Sequence, residues 1–378
     1  MSSLEKYIQE HLESLHTRDQ HRELITYSKT DSTTIQPADD NRTYIAFNDN
    51  DYFNLSTHPD VISAIIQTTK SEGMGIRASR LVTGNNPQYT ALETLLAQMK
   101  QTEAALVFGS GYLTHIGIIP ALVGKGDLII ADKYMHASMI DAARLSGATC
   151  LRFLHNNLTS CRILLERYRH QYRHCIILTE TIFSMDGDTA PLAGLSELAK
   201  IHDALLVSDD AHGTGFFMEN PLNNSHLHMG TLSKALGSYG GYVCGSKVMM
   251  DYLTNTARSL IYSTALPAPL LAGAYAALNY LKNNINLSTQ LIDKAKYFTD
   301  KMKISEARSP IVPYIVHSSQ RAIALSRGLK EKGLLVPAIR PPTVPRNTAR
   351  LRITFCLSHT QNQIDHLINS LKELTDYE

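Results

Sequence analysis

Short apolar segments that end in polar residues alternate with helical segments through the first two thirds of the chain. One of them, 175–180, reads Cys-Ile-Ile-Leu-Thr-Glu, and others occupy 104–108, 128–132 and 204–207. A strand that is apolar on both faces must be covered by helices on both faces, as in the parallel sheet of an α/β fold. The alternation therefore predicts an open α/β sheet, in which ligands bind outside the carboxyl ends of the strands.

Two neighbouring stretches carry residue types that suit pyridoxal phosphate (PLP). The 204–207 strand runs into Ser-Asp-Asp-Ala-His, which contains Asp209 and His212, and a later strand delivers Lys234 into a Ser-Lys-Ala-Leu-Gly turn. A lysine amine can condense with the PLP aldehyde, and a carboxylate facing the pyridine nitrogen keeps that nitrogen protonated. We interpret Lys234 and Asp209 as candidates for these roles, with His212 near the phenolic oxygen. Each residue alone is more often a polar cap or a solvated lysine, but the combination favours a PLP site.

A glycine-rich turn, Gly-Ser-Gly-Tyr at 109–112, opens the helix that follows the 104–108 strand. The first turn of a helix has free backbone N–H groups and a positive dipole end, which together suit a phosphate. Taken alone, Gly-Ser-Gly fits an ordinary strand-to-helix turn equally well. The turn is therefore a candidate phosphate site only in combination with the lysine and the acidic pair.

These motifs together resemble the α-oxoamine synthase family of fold-type I PLP enzymes, and the similarity extends from about Tyr44 to the C-terminus. Phe-Ser-Met-Asp-Gly-Asp at 183–188 and Ile-Arg-Pro-Pro-Thr-Val-Pro at 339–345 are the most specific matches. The resemblance implies an aspartate-aminotransferase-like architecture, with a large, mainly parallel seven-stranded sheet and a small α+β part. We expect three parts along the chain: an N-terminal helical arm at 1–43, a large PLP-binding domain at 44–283 and a C-terminal domain at 284–378.

The same resemblance implies roles for individual residues. Lys234, His136 and Asp209 form the implied catalytic set, in which His136 stacks on the pyridine ring. The implied cofactor-binding set comprises Gly111, Tyr112, His136, Ser184, Asp209, His212, Thr231, Lys234 and Thr264. The implied substrate-binding set comprises Arg22, Asn50, Thr343 and Arg352.

Within that set, Arg352 matches the residue that holds the amino-acid carboxylate. Arg350 and Arg352 alternate along one predicted strand and share a face. Arg350 is interpreted as a solubilising residue on an edge strand. The sequence departs from the family at several positions. Among them, His115 stands where asparagine is common, and the interval from His212 to Lys234 is only 22 residues long and lacks the usual Gly-Arg-Gly loop.

The 339–345 stretch is typical of the branch of the family that acts in biotin biosynthesis, because glycine-using relatives differ at Arg340 and Pro341. The resemblance then implies decarboxylative condensation of L-alanine with pimeloyl-CoA or a pimeloyl-acyl carrier protein, in a homodimer with active sites shared between subunits. Two alternatives stay open. One is a glycine-using family enzyme that takes acetyl- or succinyl-CoA, and the other is a noncatalytic partner subunit, which would lack the equivalent of Lys234.

Charge and hydropathy exclude several other classes of protein. The chain has 36 Lys and Arg against 35 Asp and Glu, a formal net charge of +1, so no bulk field attracts nucleic acid or an anionic membrane. It contains no apolar run of 18 residues and does not begin like a signal peptide, so we expect a cytoplasmic protein. The five cysteines have no CxxC spacing and no HExxH is present, so no metal is expected.

Overall fold

The computed structural model describes residues 1–18, 20–216 and 226–376. Up to the last strand of the large sheet, the elements in chain order are α1 (Ser3–Thr17), β1 (Tyr27–Lys29), β2 (Thr34–Pro37), β3 (Tyr44–Ala46), α2 (Pro59–Glu72), α3 (Pro87–Met99), β4 (Ala104–Phe108), α4 (Gly111–Leu122), β5 (Leu128–Asp132), α5 (Ala137–Ser146), β6 (Thr149–Phe153), α6 (Leu158–Tyr168), β7 (Cys175–Glu180), α7 (Leu192–Ile201), β8 (Leu205–Asp209), β9 (His226–Thr231) and β10 (Gly241–Gly245). The elements that follow are α8 (Lys247–Thr256), α9 (Arg258–Ile261), α10 (Ala268–Asn283), α11 (Leu287–Met302), β11 (Ile311–His317), α12 (Ser319–Glu331), β12 (Leu334–Leu335), β13 (Ala338–Ile339), β14 (Ala349–Thr354) and α13 (Gln361–Asp376).

The large sheet has seven strands in the order β4-β10-β9-β8-β7-β5-β6. Among the strands that the structure describes in this sheet, β10 runs opposite to the direction of the other six, so the predicted mainly parallel sheet is confirmed. Along β5, Ile129 packs in the cluster that includes Met139 of α5, whereas Leu128 and Ile130 pack with Leu165 of α6. Helices thus cover both faces of the sheet, which is why its central strands are apolar on both sides.

Two smaller sheets complete the fold. One has the order β1-β2-β3-β12, with β12 parallel to β3, and the other is antiparallel with the order β11-β14-β13. The apolar pattern of residues 334–339 predicts one strand, and this prediction is wrong. It is two short strands that belong to different sheets, and Pro337 lies between them. Proline has no N–H to donate to a sheet, so a strand that reaches it tends to end there.

The sheet formed by the N-terminal strands also contains a C-terminal strand, because β12 pairs with β3. The domain boundaries at 43/44 and 283/284 stay a prediction. Across residues 1–18, 20–216 and 226–376, no helix has both the length and the apolar character needed to cross a membrane.

Candidate active site

The carboxyl ends of three neighbouring strands bring the predicted site residues together. Asp209 is the last residue of β8 and lies in register with Glu180, the last residue of β7. The next strand, β9, ends at Thr231, three residues before Lys234. The arrangement is the one expected for an open α/β sheet, where loops after adjacent parallel strands form the ligand site.

A chain of hydrogen bonds joins the lysine to an arginine of the C-terminal part. Lys234 Nζ lies 3.0 Å from His212 Nε2, and His212 Nδ1 lies 2.5 Å from the Tyr52 hydroxyl. Tyr52 donates to Asn50 Oδ1 at 3.3 Å, and the same oxygen accepts from Arg352 Nη2 at 3.2 Å. Tyr52, which the sequence did not single out, therefore links four of the predicted residues: Lys234, His212, Asn50 and Arg352.

Burial and neighbouring charges adjust the protonation of the Lys234–His212 pair. Burial lowers the pKa of Lys234 below its ordinary value of 10.5 and outweighs the opposing effect of the acidic groups nearby, of which Asp209 has the largest. Burial, followed by the charges of Lys234 and Arg352, holds the pKa of His212 well below its ordinary value. His212 is thus a neutral imidazole at pH 7, and the Lys234 amine is more easily deprotonated than a lysine in water, which suits a nucleophile or base.

Asp209 is buried next to a backbone amide and a histidine. Its Oδ1 accepts a hydrogen bond from the Ala211 amide at 2.8 Å, and its Oδ2 lies 3.7 Å from His115 Nε2. His115 is buried, which lowers its pKa to about 4, so the ring is neutral at pH 7. Ser138 connects it to the predicted stacking residue, since its hydroxyl lies 2.8 Å from His115 Nδ1 and 2.7 Å from His136 Nδ1.

The start of α4 and the end of β9 form a common surface. Gly111 is the first residue of α4, and a Cβ added to it would lie 3.5 Å from Thr231 Cβ and 3.2 Å from Met229 Cε. The Thr231 hydroxyl donates to the Gly240 carbonyl at 2.8 Å and lies 2.8 Å from Ser233 Oγ. Because the hydroxyl hydrogen of Thr231 is already donated to the Gly240 carbonyl, Thr231 can only accept a further hydrogen bond in this arrangement. The Ser233 hydroxyl is therefore the better donor to a ligand.

Tyr112, the second residue of α4, contributes its backbone rather than its side chain to this surface. The side chain is 46% exposed and its hydroxyl donates to Asp141 Oδ2 at 2.5 Å. The first amides of a helix have no partner within the helix. The Gly111 and Tyr112 amides are therefore available to an anion at this end of α4.

The guanidinium of Arg352 is held by three partners. Its Nε donates to the Ser184 carbonyl at 2.6 Å, its Nη1 to Thr354 Oγ1 at 2.9 Å, and its Nη2 to Asn50 at 3.2 Å. Such bonds fix the plane of the guanidinium, which prepares it to bind a carboxylate in a defined orientation.

The interpretation of Arg350 as a solubilising residue on an edge strand is wrong. Strand β14 lies between β11 and β13, and Arg350 is 2% exposed. Its Nη1 lies 2.5 Å from Asp186 Oδ1 and donates to the Met185 carbonyl at 3.2 Å. Arg350 therefore anchors the turn that carries Ser184, since a buried guanidinium needs such partners.

The C-terminal motif lines a cleft next to the N-terminal segment. Arg22, Arg340 and Thr343 lie on the walls of this cleft, whose volume is about 260 Å³. Thr343 also borders a second cleft of about 400 Å³, which Ser184 lines as well. The structure thus brings Arg22 and Thr343 together, and Thr343 connects their cleft to the turn beside Arg352.

The described contacts of Thr264 lie away from this group of residues. Its backbone forms an isolated β-bridge with Ser79, and its side chain is exposed. The interval between His212 and Lys234 that the sequence marks as short includes residues 217–225, which lie outside the described residues.

A half-buried histidine, His155, stabilises the other end of the Ser184 turn. His155 Nδ1 lies 2.9 Å from Asp132 Oδ1, its Nε2 lies 2.9 Å from Asp188 Oδ2, and its ring stacks on Tyr134 and meets Phe183 edge-on. Burial opposes the charged form, but the hydrogen bonds to both aspartates outweigh it and raise the pKa of His155 to about 10. His155 is therefore an imidazolium between two carboxylates over the neutral pH range.

This ion triad predicts a pH dependence of stability. Because the folded-state pKa of His155 is raised from 6.5 to about 10, its stabilisation is complete below pH 6.5 and is lost as pH rises through 10. We expect His155→Gln to lower Tm by roughly 5 °C at pH 6 and by much less at pH 10, measured by thermal unfolding. The exposed His170→Gln is the control, and a His155→Gln effect that stays constant from pH 6 to pH 10 would contradict the assignment.

The residues present fit PLP by their chemistry. A helix N-terminus with a hydroxyl beside it suits the phosphate. A lysine at the carboxyl end of the sheet suits the aldehyde, and a buried carboxylate nearby suits the pyridine nitrogen. Two buried polar atoms at the same place, His115 Nε2 and Glu180 Oε1, have no hydrogen-bond partner among the described residues. Sequence reasoning assigned no role to His115, Glu180 or Tyr52, although Glu180 ends an apolar strand in the same way as Asp209.

Comparisons with known proteins identify the family to which the chain belongs. The aminotransferase class I and II family model matches residues 42–371. The 8-amino-7-oxononanoate synthase of Methylobacterium nodulans is 45% identical over 372 residues, which cover 98% of this chain and 97% of that protein. A serine palmitoyltransferase from S. paucimobilis, solved with a bound PLP-myriocin aldimine, has a TM-score of 0.92 at 25% identity and covers 100% of this chain and 99% of that one.

A second solved structure is the 8-amino-7-oxononanoate synthase from Francisella tularensis, with a TM-score of 0.75 at 28% identity over 88% of this chain and 98% of that one. The predicted fold-type I architecture and the PLP cofactor are confirmed. The chain therefore belongs to the aminotransferase class I and II family and, within it, to the PLP-dependent 8-amino-7-oxononanoate synthases.

Proposed function

We propose that the protein condenses L-alanine with a pimeloyl thioester to give 8-amino-7-oxononanoate, carbon dioxide and the free thiol carrier. The observation that carries the proposal is the 45% identity over 98% of the chain to a relative of that name. It is supported by the Ile-Arg-Pro-Pro-Thr-Val-Pro motif, since Arg340, Pro341 and Thr343 line the cleft beside Arg22.

Different residues of the chain would hold different parts of the cofactor. The Gly111 and Tyr112 amides would hold the phosphate, with the Thr231 and Ser233 hydroxyls beside them, and Asp209 would face the pyridine nitrogen. His136 would stack on the ring. When bound there, PLP supplies an electron sink that stabilises a carbanion at the amino-acid α-carbon.

The amino acid would be oriented by Arg352 and deprotonated by Lys234. The guanidinium is already fixed by Ser184, Thr354 and Asn50, so binding a carboxylate requires little reordering of the side chain. Lys234, whose pKa is lowered by burial, removes the α-proton and later returns a proton to the same carbon. His212, 3.0 Å from Lys234 Nζ, orients the amine between these two steps.

The thioester would enter along the cleft bordered by Arg22 and Thr343. An acyl chain that ends in a carboxylate matches Arg22 and Arg340 in charge, since both residues line that cleft. Thr343 is shared with the second cleft, which Ser184 also lines, so an extended chain there would have its thioester carbonyl directed toward the Arg352 region.

A homodimer is part of the same proposal, because the described contact of Thr264 is with Ser79 and not with a residue of the Lys234 site. In a shared site, Thr264 would reach the PLP phosphate of the partner subunit. The cytoplasm is the proposed location, since CoA and acyl carrier proteins are the thioester sources considered. Sedimentation of the purified protein would show the dimer, and a monomer with full activity would contradict the shared site.

The substrate assignment is tested by product analysis. PLP-loaded protein is incubated with alanine, glycine or serine in combination with pimeloyl-CoA, a pimeloyl-acyl carrier protein, acetyl-CoA or palmitoyl-CoA, and products are identified by mass spectrometry. We expect 8-amino-7-oxononanoate only from alanine with a pimeloyl thioester. A preference for glycine with acetyl-CoA, or for serine with palmitoyl-CoA, would overturn the assignment and leave the family membership intact.

Arg352→Lys tests the binding of the amino-acid carboxylate. A lysine keeps the positive charge but cannot form two parallel hydrogen bonds or hold Ser184, Thr354 and Asn50 together. We expect KM for alanine to rise roughly 10- to 100-fold, as for a weakened charged hydrogen bond, with a smaller change in KM for the thioester. Arg162→Lys, on the exposed face of α6, is the matched control. Equal increases in both KM values would place Arg352 elsewhere in the mechanism.

A further inference from the structure

Glu180 is a buried carboxyl group beside the proposed catalytic aspartate. It is the last residue of β7, lies in register with Asp209, the last residue of β8, and is 2% exposed. Neighbouring strands are about 4.8 Å apart. Two carboxyl groups therefore stand side by side at the carboxyl end of the sheet.

The two carboxyl groups differ in how well their negative charge is supported. Asp209 Oδ1 accepts a hydrogen bond from the Ala211 amide at 2.8 Å, and neither oxygen of Asp209 is among the buried atoms that lack a partner in the described residues. Glu180 has one hydrogen bond, from the Ser184 amide to Oε2 at 3.2 Å, while its buried Oε1 has no partner among the described residues. A buried, unpaired anionic oxygen is costly, and a proton on it removes most of that cost.

The surrounding charges favour placing the proton on Glu180. Burial raises the pKa of Glu180 well above its ordinary value, and the charges of Asp209 and Asp132 act in the same direction. The Ser184 amide and the charge of Lys234 oppose these effects without cancelling them. Adjacent carboxyl groups in a buried site avoid two full negative charges by sharing one proton.

We propose that Glu180 is a neutral carboxylic acid in the resting protein, with its proton on Oε1, and that it is a positioning residue that keeps Asp209 the only negative charge of the pair. A second full charge at this place would favour protonation of Asp209 instead, and Asp209 would then no longer be a carboxylate for the pyridine nitrogen. The inference concerns the protein before any substrate binds, so it holds for whichever amino acid and thioester the site accepts.

Infrared difference spectroscopy tests the protonation of Glu180 directly. The spectrum of Glu180→Gln is subtracted from that of the unaltered protein at pH 7.5, without substrate and both with and without PLP. We expect the difference to show the carbonyl stretch of a protonated carboxylic acid. The control is Glu197→Gln on the exposed face of α7, which should show loss of the symmetric and antisymmetric stretches of an ionised carboxylate. The same ionised signature in the Glu180 difference would overturn the proposal, and the measurement decides even if the variant binds no PLP.

A second readout follows the visible absorption of bound PLP as a function of pH. Glu180→Gln replaces one neutral side chain by another, so we expect the midpoint of the titration to stay unchanged. If Glu180 were ionised, the variant would remove a full charge within ~10 Å of the titrating cofactor. The midpoint of the PLP titration would then shift by about one pH unit or more. A shift of that size overturns the proposal. Neither result depends on product formation, so failure of the substrate assignment would leave this test unaffected.

Discussion

Replacement of Lys234 by alanine is expected to lower kcat at least ~10³-fold, because a nucleophile and a base are both lost. The Lys234 amine is 3.0 Å from His212 Nε2, and burial lowers its pKa, which suits it to both roles. The fold should persist, since alanine leaves His212 with its Tyr52 contact. Turnover is measured by mass spectrometry of the product, and bound PLP by its visible absorption.

The matched control for Lys234→Ala is Lys282→Ala, which removes an exposed lysine from α10 and should leave both turnover and the absorption of bound PLP unchanged. Lys234→Ala should bind PLP without the absorption of lysine-linked cofactor. A kcat within tenfold of that of the unaltered protein would show that another amine acts as the nucleophile and base.

Replacement of Asp209 by asparagine is expected to lower kcat by roughly 10² to 10³, the cost of removing a preorganised charge from a buried site. The amide oxygen of asparagine can still accept from the Ala211 amide, which lies 2.8 Å from Oδ1, so the turn after β8 is preserved. What is lost is the charge near His115 and near the proposed position of the pyridine nitrogen. The effect is measured as kcat at saturating alanine and thioester.

Asp251→Asn on the exposed face of α8 serves as the control for Asp209→Asn. If the aspartate acts through its charge, Asp209→Glu should recover part of the activity. Equal losses in Asp209→Asn and Asp209→Glu would instead indicate that only the shape of the side chain matters.

The sequence predicts a group of site residues where polar side chains directly follow predicted strands. Lys234, Asp209 and His212 follow apolar strands at short spacing, and the carboxyl ends of parallel strands meet at one edge of a sheet. Tyr52 and Arg352 are joined through Asn50 across most of the chain. No local pattern predicts such a contact, because it depends on how the C-terminal part packs against the large sheet.

Sheet order was the main thing that the sequence did not reveal. Arg350 reads as an edge-strand residue only if β14 is at an edge, but β14 is the central strand of its sheet. Its burial and its bond to Asp186 follow from that position. The 334–339 segment was also misread, because a two-residue strand in each of two sheets has the same local hydrophobic pattern as one longer strand.

The pairing of β3 with β12 has a consequence for biosynthesis. Leu334 pairs with Ile45, so a strand made early during translation meets its parallel neighbour only when most of the polypeptide has been synthesised. Until then one edge of β3 has unpaired N–H and C=O groups, which is the kind of edge that recruits other chains. We therefore expect a chain released by a ribosome that stalls shortly before Leu334 to keep this edge unpaired and to aggregate more readily than the finished chain.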